Sequence, residues 1–319
     1  MILKNWTQLI SIILVTIMFA IAEAVGEMEI IFPEIAALAF GFWIMEKSPW
    51  QGTKLTICAS PTLAALTGVI LLRYAPFSPL LLIGSAFLLV ILQLKLLRSA
   101  VLPSLSASIL PIITHTTSWL YPLSVAILTA IIALGRLSLE ALDHKETSAN
   151  FFHQSDRATA NEMNFLPELL YWSKILAGVL LVTALALQSR YLFMIAPPLM
   201  VGFVEISRPN RPLRRTPGKI LLLLFLAAAA GVLWFYLVTT ILHGSLWIFS
   251  FLTITSVFLL YEALQVSFPP AVAIALLPVL VPPANLWHYP LHVLLGSTLF
   301  ILMGIFCFRD TPAAACNES

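Results

Sequence analysis

Acidic side chains cluster near the beginning of this sequence, between two long apolar runs. The cluster comprises Glu23, Glu27, Glu29 and Glu34. Glu27 and Glu29 are typical of a turn in water, whereas Glu23 and Glu34 lie next to the apolar runs, where an ionisable side chain is costly and often functional. A carboxyl group at such a position can bind a proton or a cation. The alternative is an exposed acidic loop without a ligand.

Prolines interrupt two shorter apolar segments, 100–114 and 267–282. A proline inside a helix removes a backbone donor and frees the carbonyl one turn earlier, which in apolar surroundings must face protein, water or a ligand. The segments therefore predict a central pathway, and the candidate lining residues are Pro103, Pro111, His115, Pro269, Pro270, Pro278 and Glu34. The alternatives are helix kinks that serve packing alone and, for His115, a position at the outer interface.

The composition places these residues in a membrane protein. Of 319 residues, 60% are apolar and 10% are charged, whereas soluble domains carry about 25% charged residues. Such a chain cannot cover a surface that faces water, so lipid must cover it. In lipid the backbone must satisfy its own hydrogen bonds, as helices and closed barrels do. Continuous apolar runs such as 220–242 lack the alternation of barrel strands, so the sequence predicts an all-α polytopic fold.

Ten apolar stretches are long enough to cross a bilayer, which takes about 20 residues, or about 17 where a bundle helps. They are 8–25, 29–45, 55–72, 79–97, 120–139, 168–187, 191–206, 219–242, 245–264 and 288–308. Lysine and arginine concentrate in cytoplasmic loops. Counting the two proline-bearing segments as further spans leaves only Arg73 and Arg190 outside. We therefore predict about 12 transmembrane helices with both termini cytoplasmic.

A basic loop decides this span count. It contains Arg208, Arg211, Arg214, Arg215 and Lys219. With ten spans the loop would lie outside, against the distribution expected of cytoplasmic loops. Topology alone accounts for the loop, and the alternative is attraction of anionic headgroups or of an anionic substrate.

The two halves of the chain share a spaced set of prolines and aromatic residues. The set is Pro103, Pro111, Trp119, Tyr121 and Pro122 in the first half and Pro270, Pro278, Trp287, Tyr289 and Pro290 in the second. The offset is 167 residues before a one-residue insertion and 168 after it. We interpret the set as an internal duplication, with repeats at 1–139 and 168–319 and a polar cytoplasmic linker at 140–167. The tryptophans and tyrosines are typical of an interfacial belt.

Six spans per repeat is an even number, so both repeats enter the membrane from the same side. The predicted architecture is therefore two parallel six-helix repeats with short segments broken by proline. Parallel repeats are a common plan of transporters, in which the site lies at the repeat interface.

The second half also resembles a known family. Ser267-Phe268-Pro269-Pro270-Ala271 is followed by Trp287-x-Tyr289 and by Val293-Leu294-Leu295-Gly296-Ser297. This pattern is similar to that of the HPP family of integral membrane proteins, named for a His-Pro-Pro motif; Phe268 stands at the place of the histidine. The resemblance implies a membrane transporter, and some members are associated with nitrite transport. A local similarity at Arg214-Arg215-Thr216-Pro217-Gly218 is to the membrane domains of aromatic-acid and fusaric-acid exporters.

The sequence excludes several classes of function. It has no G-x-S-x-G, H-E-x-x-H, Walker A or dinucleotide motif and no nucleic-acid-binding pattern, and its 3 cysteines lack metal-ligand spacing. We therefore expect neither an enzyme nor a metal or cofactor. The leading prediction is a secondary transporter or permease of a small solute, for example nitrite or an organic acid, in the cell (inner) membrane. The alternative is a non-transporting scaffold or assembly partner, and a homo-oligomer is compatible with both.

Reporter tags test the predicted topology. A tag inserted within 115–118 should report the outside of the cell, and a tag within 210–216 the cytoplasm, because three predicted spans separate them. Labelling of intact and permeabilised cells with a membrane-impermeant reagent measures the side of each tag. Two tags on one side, or the reversed pair, would contradict the arrangement with 12 spans.

Overall fold

A computed structural model describes residues 2–45, 47–142, 165–208 and 212–308 of the chain. These residues form helices and contain no β-strand. Most of the predicted linker 140–167 lies outside them. Within the described ranges there are 12 α-helices: α1 (Ile2–Val25), α2 (Glu34–Ala39), α3 (Lys54–Tyr74), α4 (Pro79–Leu96), α5 (Pro103–Thr114), α6 (Leu120–Leu142), α7 (Phe165–Ser189), α8 (Pro197–Ser207), α9 (Pro217–Phe235), α10 (Leu246–Leu264), α11 (Pro270–Leu276) and α12 (Tyr289–Phe306).

Eight of the helices in the described residues are long and apolar enough to cross a membrane. They are α1, α3, α4, α6, α7, α9, α10 and α12. Large apolar side chains remain exposed on them, for example Leu222 on α9 and Leu259 on α10, as expected of surfaces that contact lipid. The prediction of an all-helical chain is confirmed, and the eight helices are compatible with a multi-pass membrane protein.

The other four described helices, α2, α5, α8 and α11, are short. Two of them lie where hydropathy predicts full spans, at 29–45 and 191–206. Helix α2 begins after Pro33 and continues as the π-helical turn Phe40–Ile44, and α8 begins at Pro197. Proline is favoured in the first turn of a helix, and a short 3-10 turn precedes each α-helix, Met28–Ile30 before α2 and Leu192–Ile195 before α8. The broken elements in this part of the chain are therefore four, whereas the sequence predicts two.

The segment 100–119, which contains the short helix α5, lies along the whole length of α3. Before it begins, the Ala100 N–H donates to the Gln51 carbonyl at 2.8 Å, beside the first turn of α3. After it ends, the Trp119 ring centroid lies 5.0 Å from the guanidinium of Arg73 in the last turn of α3. Segment 100–119 therefore joins the two ends of α3. We call the end with Gln51 the inner end of the bundle and the end with Trp119 the outer end.

The helix α11 has the same relation to α9. The Lys219 amine in the first turn of α9 donates to the Leu264 carbonyl at 3.2 Å, where α10 ends. Beyond α11, the rings of Trp287 and Tyr236 meet at 4.9 Å, just after the end of α9. The chain between 265 and 287 therefore runs from one end of α9 to the other.

The short helices α2 and α8 run alongside the last helix of their own half, α6 and α12 respectively. The rings of Phe32 and Tyr121 meet at 6.2 Å near the outer end, and the Trp43 indole N–H donates to the Ile132 carbonyl, further along α6, at 3.1 Å. Helix α8 follows α12 through the ring pairs Phe193–Tyr289 at 5.6 Å and Phe203–Phe300 at 5.0 Å. Both short helices thus advance from the outer end toward the inner end.

Contacts between the halves are reciprocal. Helix α1 packs on α10 and α7 packs on α4, while α5 packs on α8 and α11 packs on α2. The Glu23 carboxylate accepts the Leu246 N–H at 2.9 Å, at the positive end of the α10 dipole. The Lys95 amine lies 2.9 Å from the Glu168 carboxylate. Since Lys95 lies at the inner end of α4, the second half also begins at the inner end.

Glycine permits the closest contact within each half. Gly68 of α3 faces the Ser108 carbonyl of α5, and Gly231 of α9 faces the Ala275 carbonyl of α11. A Cβ atom on either glycine would lie 2.1 Å from that carbonyl oxygen. Close backbone approach at small residues is typical of helix packing in membranes, so these two glycines position the short helices.

Alanine at Gly68 or Gly231 should destabilise the protein by about 1–3 kcal/mol, as overpacking typically does, because the short helix must move away. Gly218→Ala is the matched control, since no atom of the described residues lies within 4 Å of its Cβ position. Thermal unfolding in detergent measures the three variants. Equal midpoints for all of them would disprove the close approach.

Candidate functional site

A tyrosine hydroxyl replaces the donor that proline removes from α5. Pro111 has no N–H for the Ala107 carbonyl one turn earlier. The Tyr121 hydroxyl, from the first turn of α6, donates to that carbonyl at 2.9 Å. The freed carbonyl therefore faces protein, as in the packing alternative for this proline.

In the second half, the hydroxyl of Tyr289 donates to a carbonyl one turn before Pro278 in the same way. Pro278 follows Ile274 by one turn, and the Ile274 carbonyl accepts the Tyr289 hydroxyl at 2.7 Å. The N–H of Leu277 also points to this carbonyl. Both halves thus hold their broken helix through a tyrosine of the following helix.

This role removes the two tyrosines from the predicted interfacial belt. Tyr121 is 2% exposed and Tyr289 is 0% exposed, whereas Trp119 and Trp287 are 45% and 59% exposed. The belt prediction is wrong for the tyrosines, because each hydroxyl is drawn to a carbonyl inside the bundle. It fits the tryptophans, whose rings lie at the outer end.

The candidate prolines are all buried. Pro103 and Pro270 are the first residues of α5 and α11, and Pro269 precedes α11 directly. Pro111 and Pro278 lie further along the broken helices, toward the outer end. None of the five prolines contributes to the wall of the cavity described next.

A cavity of about 300 Å³ lies at the outer end, between the broken segments of the two halves. Its wall consists of Met28, Glu29, Ile31, Leu110, Thr114, His115, Thr116, Tyr121, Val279 and Leu280. The first half contributes the end of α5 and the turn before α2, and the second half contributes the 3-10 turn Leu277–Leu280. The cavity combines an apolar base with a polar rim of threonines, a histidine and a carboxylate.

His115 lies at the rim of this cavity. It ends α5 in the left-handed conformation, with φ at 55°, and its side chain is exposed. The Thr114 and Thr116 hydroxyls on either side lie 2.8 Å apart. The exposed position matches the outer-interface alternative for His115, although the residue also contacts the cavity.

Glu34 lies buried between α2 and α5. Its side chain is 1% exposed. The Ser106 hydroxyl donates to one carboxyl oxygen, and the other oxygen has no hydrogen-bond partner among the described residues. The phenol groups of Tyr121 and Tyr289, one from each half, lie within electrostatic range of the carboxyl. Sequence reasoning selected Glu34 but not its partner Ser106.

Polar side chains occur on only one of the two equivalent broken helices. Helix α5 carries Ser104, Ser106 and Ser108, all buried. At the offset of 167, α11 carries Ala271, Ala273 and Ala275. The two short helices therefore differ in polarity, and the buried hydroxyl groups lie on the helix that contacts Glu34.

A second buried carboxylate joins the halves at the inner end. The Trp50 indole N–H, just before α3, donates to the Glu205 carboxylate of α8 at 2.7 Å. Trp50 is 1% exposed and Glu205 is 4% exposed. The sequence gives no signal for this pair, because 155 residues separate its members.

Two residues of the basic loop close helix ends. The Arg214 guanidinium donates to the Ile206, Ile305 and Phe308 carbonyls, at the ends of α8 and α12, and Lys219 donates to the end of α10. Cations at helix C-termini bind the last carbonyls and complement the dipole. Arg208 is partly exposed and Arg215 is exposed, and Arg211 lies outside the described residues.

Comparison with known proteins adds no relative: no family model, no curated protein and no solved structure matches this chain. The HPP resemblance therefore stays a hypothesis that depends on the motif at 267–297. The functional conclusion must come from the geometry of the cavity and of the buried carboxyl groups.

A double-mutant cycle tests the bond between the Tyr121 hydroxyl and the Ala107 carbonyl. Tyr121→Phe should destabilise the protein by about 1–3 kcal/mol, since it leaves a buried carbonyl without a donor. Pro111→Ala supplies an N–H one turn after Ala107, so the double variant should be more stable than Y121F alone. Thermal unfolding in detergent measures both.

The control for this cycle is Tyr74→Phe, whose hydroxyl belongs to a side chain that is 69% exposed. Its midpoint should equal that of the wild type. A Y121F midpoint as high as that of Y74F, or a double variant that unfolds below Y121F, would show that the hydroxyl does not replace the missing donor.

Proposed function

We propose that this chain is a secondary transporter of a small solute. The observation that carries the proposal is the cavity of about 300 Å³ at the outer end. Its wall combines Leu110 and Thr114 of the first half with Val279 and Leu280 of the second. Transporters built from internal repeats bind their solutes between the repeats, at discontinuous helices.

The proposed topology has 12 crossings, eight by long helices and four by short ones. Support comes from segments 100–119 and 265–287, each of which contacts both ends of a long neighbouring helix. A crossing by 11 or 12 helical residues needs further residues at its ends, and the 3-10 turns Met28–Ile30 and Leu192–Ile195 precede α2 and α8. With the inner end in the cytoplasm, most of the basic residues lie on the side that favours them.

The proposed symmetry is a pseudo-two-fold axis along the membrane normal, which relates two like-oriented six-helix repeats. The pairs α1–α10 and α7–α4, and α5–α8 and α11–α2, are the reciprocal contacts that such an axis generates. The matched bonds from Tyr121 to Ala107 and from Tyr289 to Ile274 support it independently.

The described conformation fits one state of an alternating-access cycle. The cavity lies at the outer end, while the Trp50–Glu205 hydrogen bond connects the halves at the inner end. Rocking of one repeat against the other would close the first and open the second. The close contact of α5 with α8 and of α11 with α2 makes these pairs the moving surfaces.

The substrate class that we propose is a small anion, such as nitrite or an organic acid, moved outward. The HPP-like segment at 267–297 supports an anion. Glu27 and Glu29 at the outer end disfavour the approach of anions from outside, which supports export. The wall of the cavity has polar groups at its rim, yet it offers no cluster of metal-ligating side chains in the described residues.

Counterflow in proteoliposomes tests the transport function. Purified protein should exchange at least one labelled anion from a panel of nitrite and small carboxylates, with saturation. Val279→Trp, which fills the cavity from the second half, should abolish the exchange. Leu222→Trp is the matched control, because Leu222 is 45% exposed on the lipid-facing surface, and it should exchange as the wild type does.

Two results would argue against transport. One is the absence of exchange for every anion of the panel, with or without a proton gradient. The other is equal exchange by V279W and the wild type, which would separate the cavity from the flux. Copurification of a stoichiometric partner without any ligand-induced thermal shift would favour the scaffold alternative.

A further inference from the structure

We infer that Glu34 and Ser106 form the proton-binding site through which a proton gradient drives this transport. The driving role rests on the proposed function, whereas the site itself rests on the geometry of the two residues. Glu34 belongs to α2 and Ser106 to α5, so the site lies between two of the broken helices.

The burial of Glu34 requires a partner for its charge. The side chain is 1% exposed, one carboxyl oxygen accepts the Ser106 hydroxyl, and the other oxygen has no hydrogen-bond partner among the described residues. Transfer of an isolated carboxylate into apolar surroundings costs tens of kcal/mol in the Born limit. The group must therefore hold a proton or a metal cation when the interface is closed.

The surroundings of Glu34 contain no cationic partner among the described residues that face it. Helices α5 and α11, which pack on α2, carry no titratable side chain. The titratable residues of α6 include Tyr121 and Arg136. Arg136 lies nearer the inner end, and its guanidinium is 5.2 Å from the Phe42 ring. Helix α1 contributes Glu23, which is bonded to the Leu246 N–H. Tyr289 of α12 lies within electrostatic range of the carboxyl, and its hydroxyl donates to the Ile274 carbonyl.

The side-chain oxygens bonded to Glu34 are too few for calcium or magnesium. Calcium takes 6–8 oxygen ligands and magnesium takes about six. Among the described residues, the Ser106 hydroxyl is the side-chain group that donates to Glu34. The Tyr121 and Tyr289 hydroxyls are engaged by carbonyls. No group of three or more metal-ligating side chains occurs in the described ranges of the chain, so the ligand that fits is a proton.

The site lies close to the outer cavity. Leu110, in the base of the cavity, follows Ser106 by four residues and lies on the same face of α5. Ile31 and Tyr121 are also part of the wall, and Ile31 precedes Glu34 by three residues. A layer about one helical turn thick therefore separates the carboxyl from the cavity, and rocking of the repeats would open it.

The duplication supplies one such site and not two. The Gly41–Phe42 and Gly202–Phe203 pairs give an offset of 161, which places Ile195 at the position of Glu34. The offset of 167 places Ala273 at the position of Ser106. Both counterparts are apolar and 0% exposed. The inferred coupling is therefore one proton for each chain.

Infrared difference spectroscopy tests the site without any substrate. Lipid-reconstituted protein is equilibrated at stepped pH values, and the carbonyl stretch of protonated carboxylic acid is followed. The wild type should show a pH-dependent acid band that is lost in Glu34→Gln. Ser106→Ala should keep the band and shift its frequency, because the hydrogen bond to the acid is gone. Glu29→Gln, at the rim of the cavity, is the matched control and should keep the band unshifted.

Two spectroscopic results would overturn the site. One is an acid band of equal size in the wild type and in E34Q, which would assign the band to another group. The other is loss of the band when sodium is added at constant pH, which would make the site a cation site. E34Q keeps the size and hydrogen-bonding capacity of the side chain, and its thermal midpoint in detergent verifies that it is folded.

The transport assay then separates the site from its role. E34Q should retain exchange of an anion without a gradient and should lose accumulation driven by a proton gradient. Loss of both activities in a folded E34Q, or of neither, would overturn the coupling role. If the wild type itself transports none of the anions, the proposed function fails, while the infrared bands still decide whether Glu34 binds the proton.

Discussion

The structure depends on one constraint: a backbone carbonyl in an apolar interior must receive a hydrogen bond. Pro111 and Pro278 each deprive a carbonyl within a short helix of its usual donor one turn later. A tyrosine from the next helix donates to each of these carbonyls, and the Leu277 N–H also points to the Ile274 carbonyl. A buried carbonyl without a hydrogen-bond partner costs about 1–3 kcal/mol, so the two bonds stabilise the proline-broken helices in the middle of the bundle. They also tie each broken helix to the helix that follows it, which fixes the geometry around Glu34 and the outer cavity.

The backbone and the side chains treat the two halves differently. The glycine contacts, the tyrosine bonds and the helix pairs occur in both halves. The polar side chains do not: α5 has serines where α11 has alanines, and Glu34 corresponds to Ile195. The packing surfaces of both halves need complementary shapes, because each half contacts the other. Hydroxyl groups at the α11 positions would need hydrogen-bond partners in an apolar environment.

Much of the fold could be predicted from the sequence, because composition and apolar length respond directly to lipid. The all-helical class, the paired prolines and the order of elements follow from these local signals. The shortness of α2 and α8 does not, since hydropathy measures apolar length and is insensitive to where Pro33 and Pro197 start a helix. The burial of Tyr121 also escaped prediction. Aromatic type and depth favour an interface, and only the position of the freed Ala107 carbonyl reverses that preference.

The candidate site was predictable only in part, for a related reason. Glu34 is visible as a carboxyl next to apolar residues, whereas Ser106 is an ordinary small residue until the two helices meet. The basic loop illustrates the opposite case. Its charge is evident in the sequence, yet Arg214 and Lys219 donate hydrogen bonds to carbonyls at the ends of α8, α10 and α12. Long-range partners of this kind are set by tertiary packing.

The Trp50–Glu205 hydrogen bond has a consequence for how the inner end can open. Separation of the halves there would expose an indole N–H and a carboxyl oxygen that are hydrogen-bonded to each other. A gap without water would leave both groups without a hydrogen-bond partner, and burial of an unpaired polar group is unfavourable in free energy. In the proposed alternating-access cycle, water molecules would therefore have to enter as the two side chains part, so that hydration and widening of the crevice would be a single cooperative event.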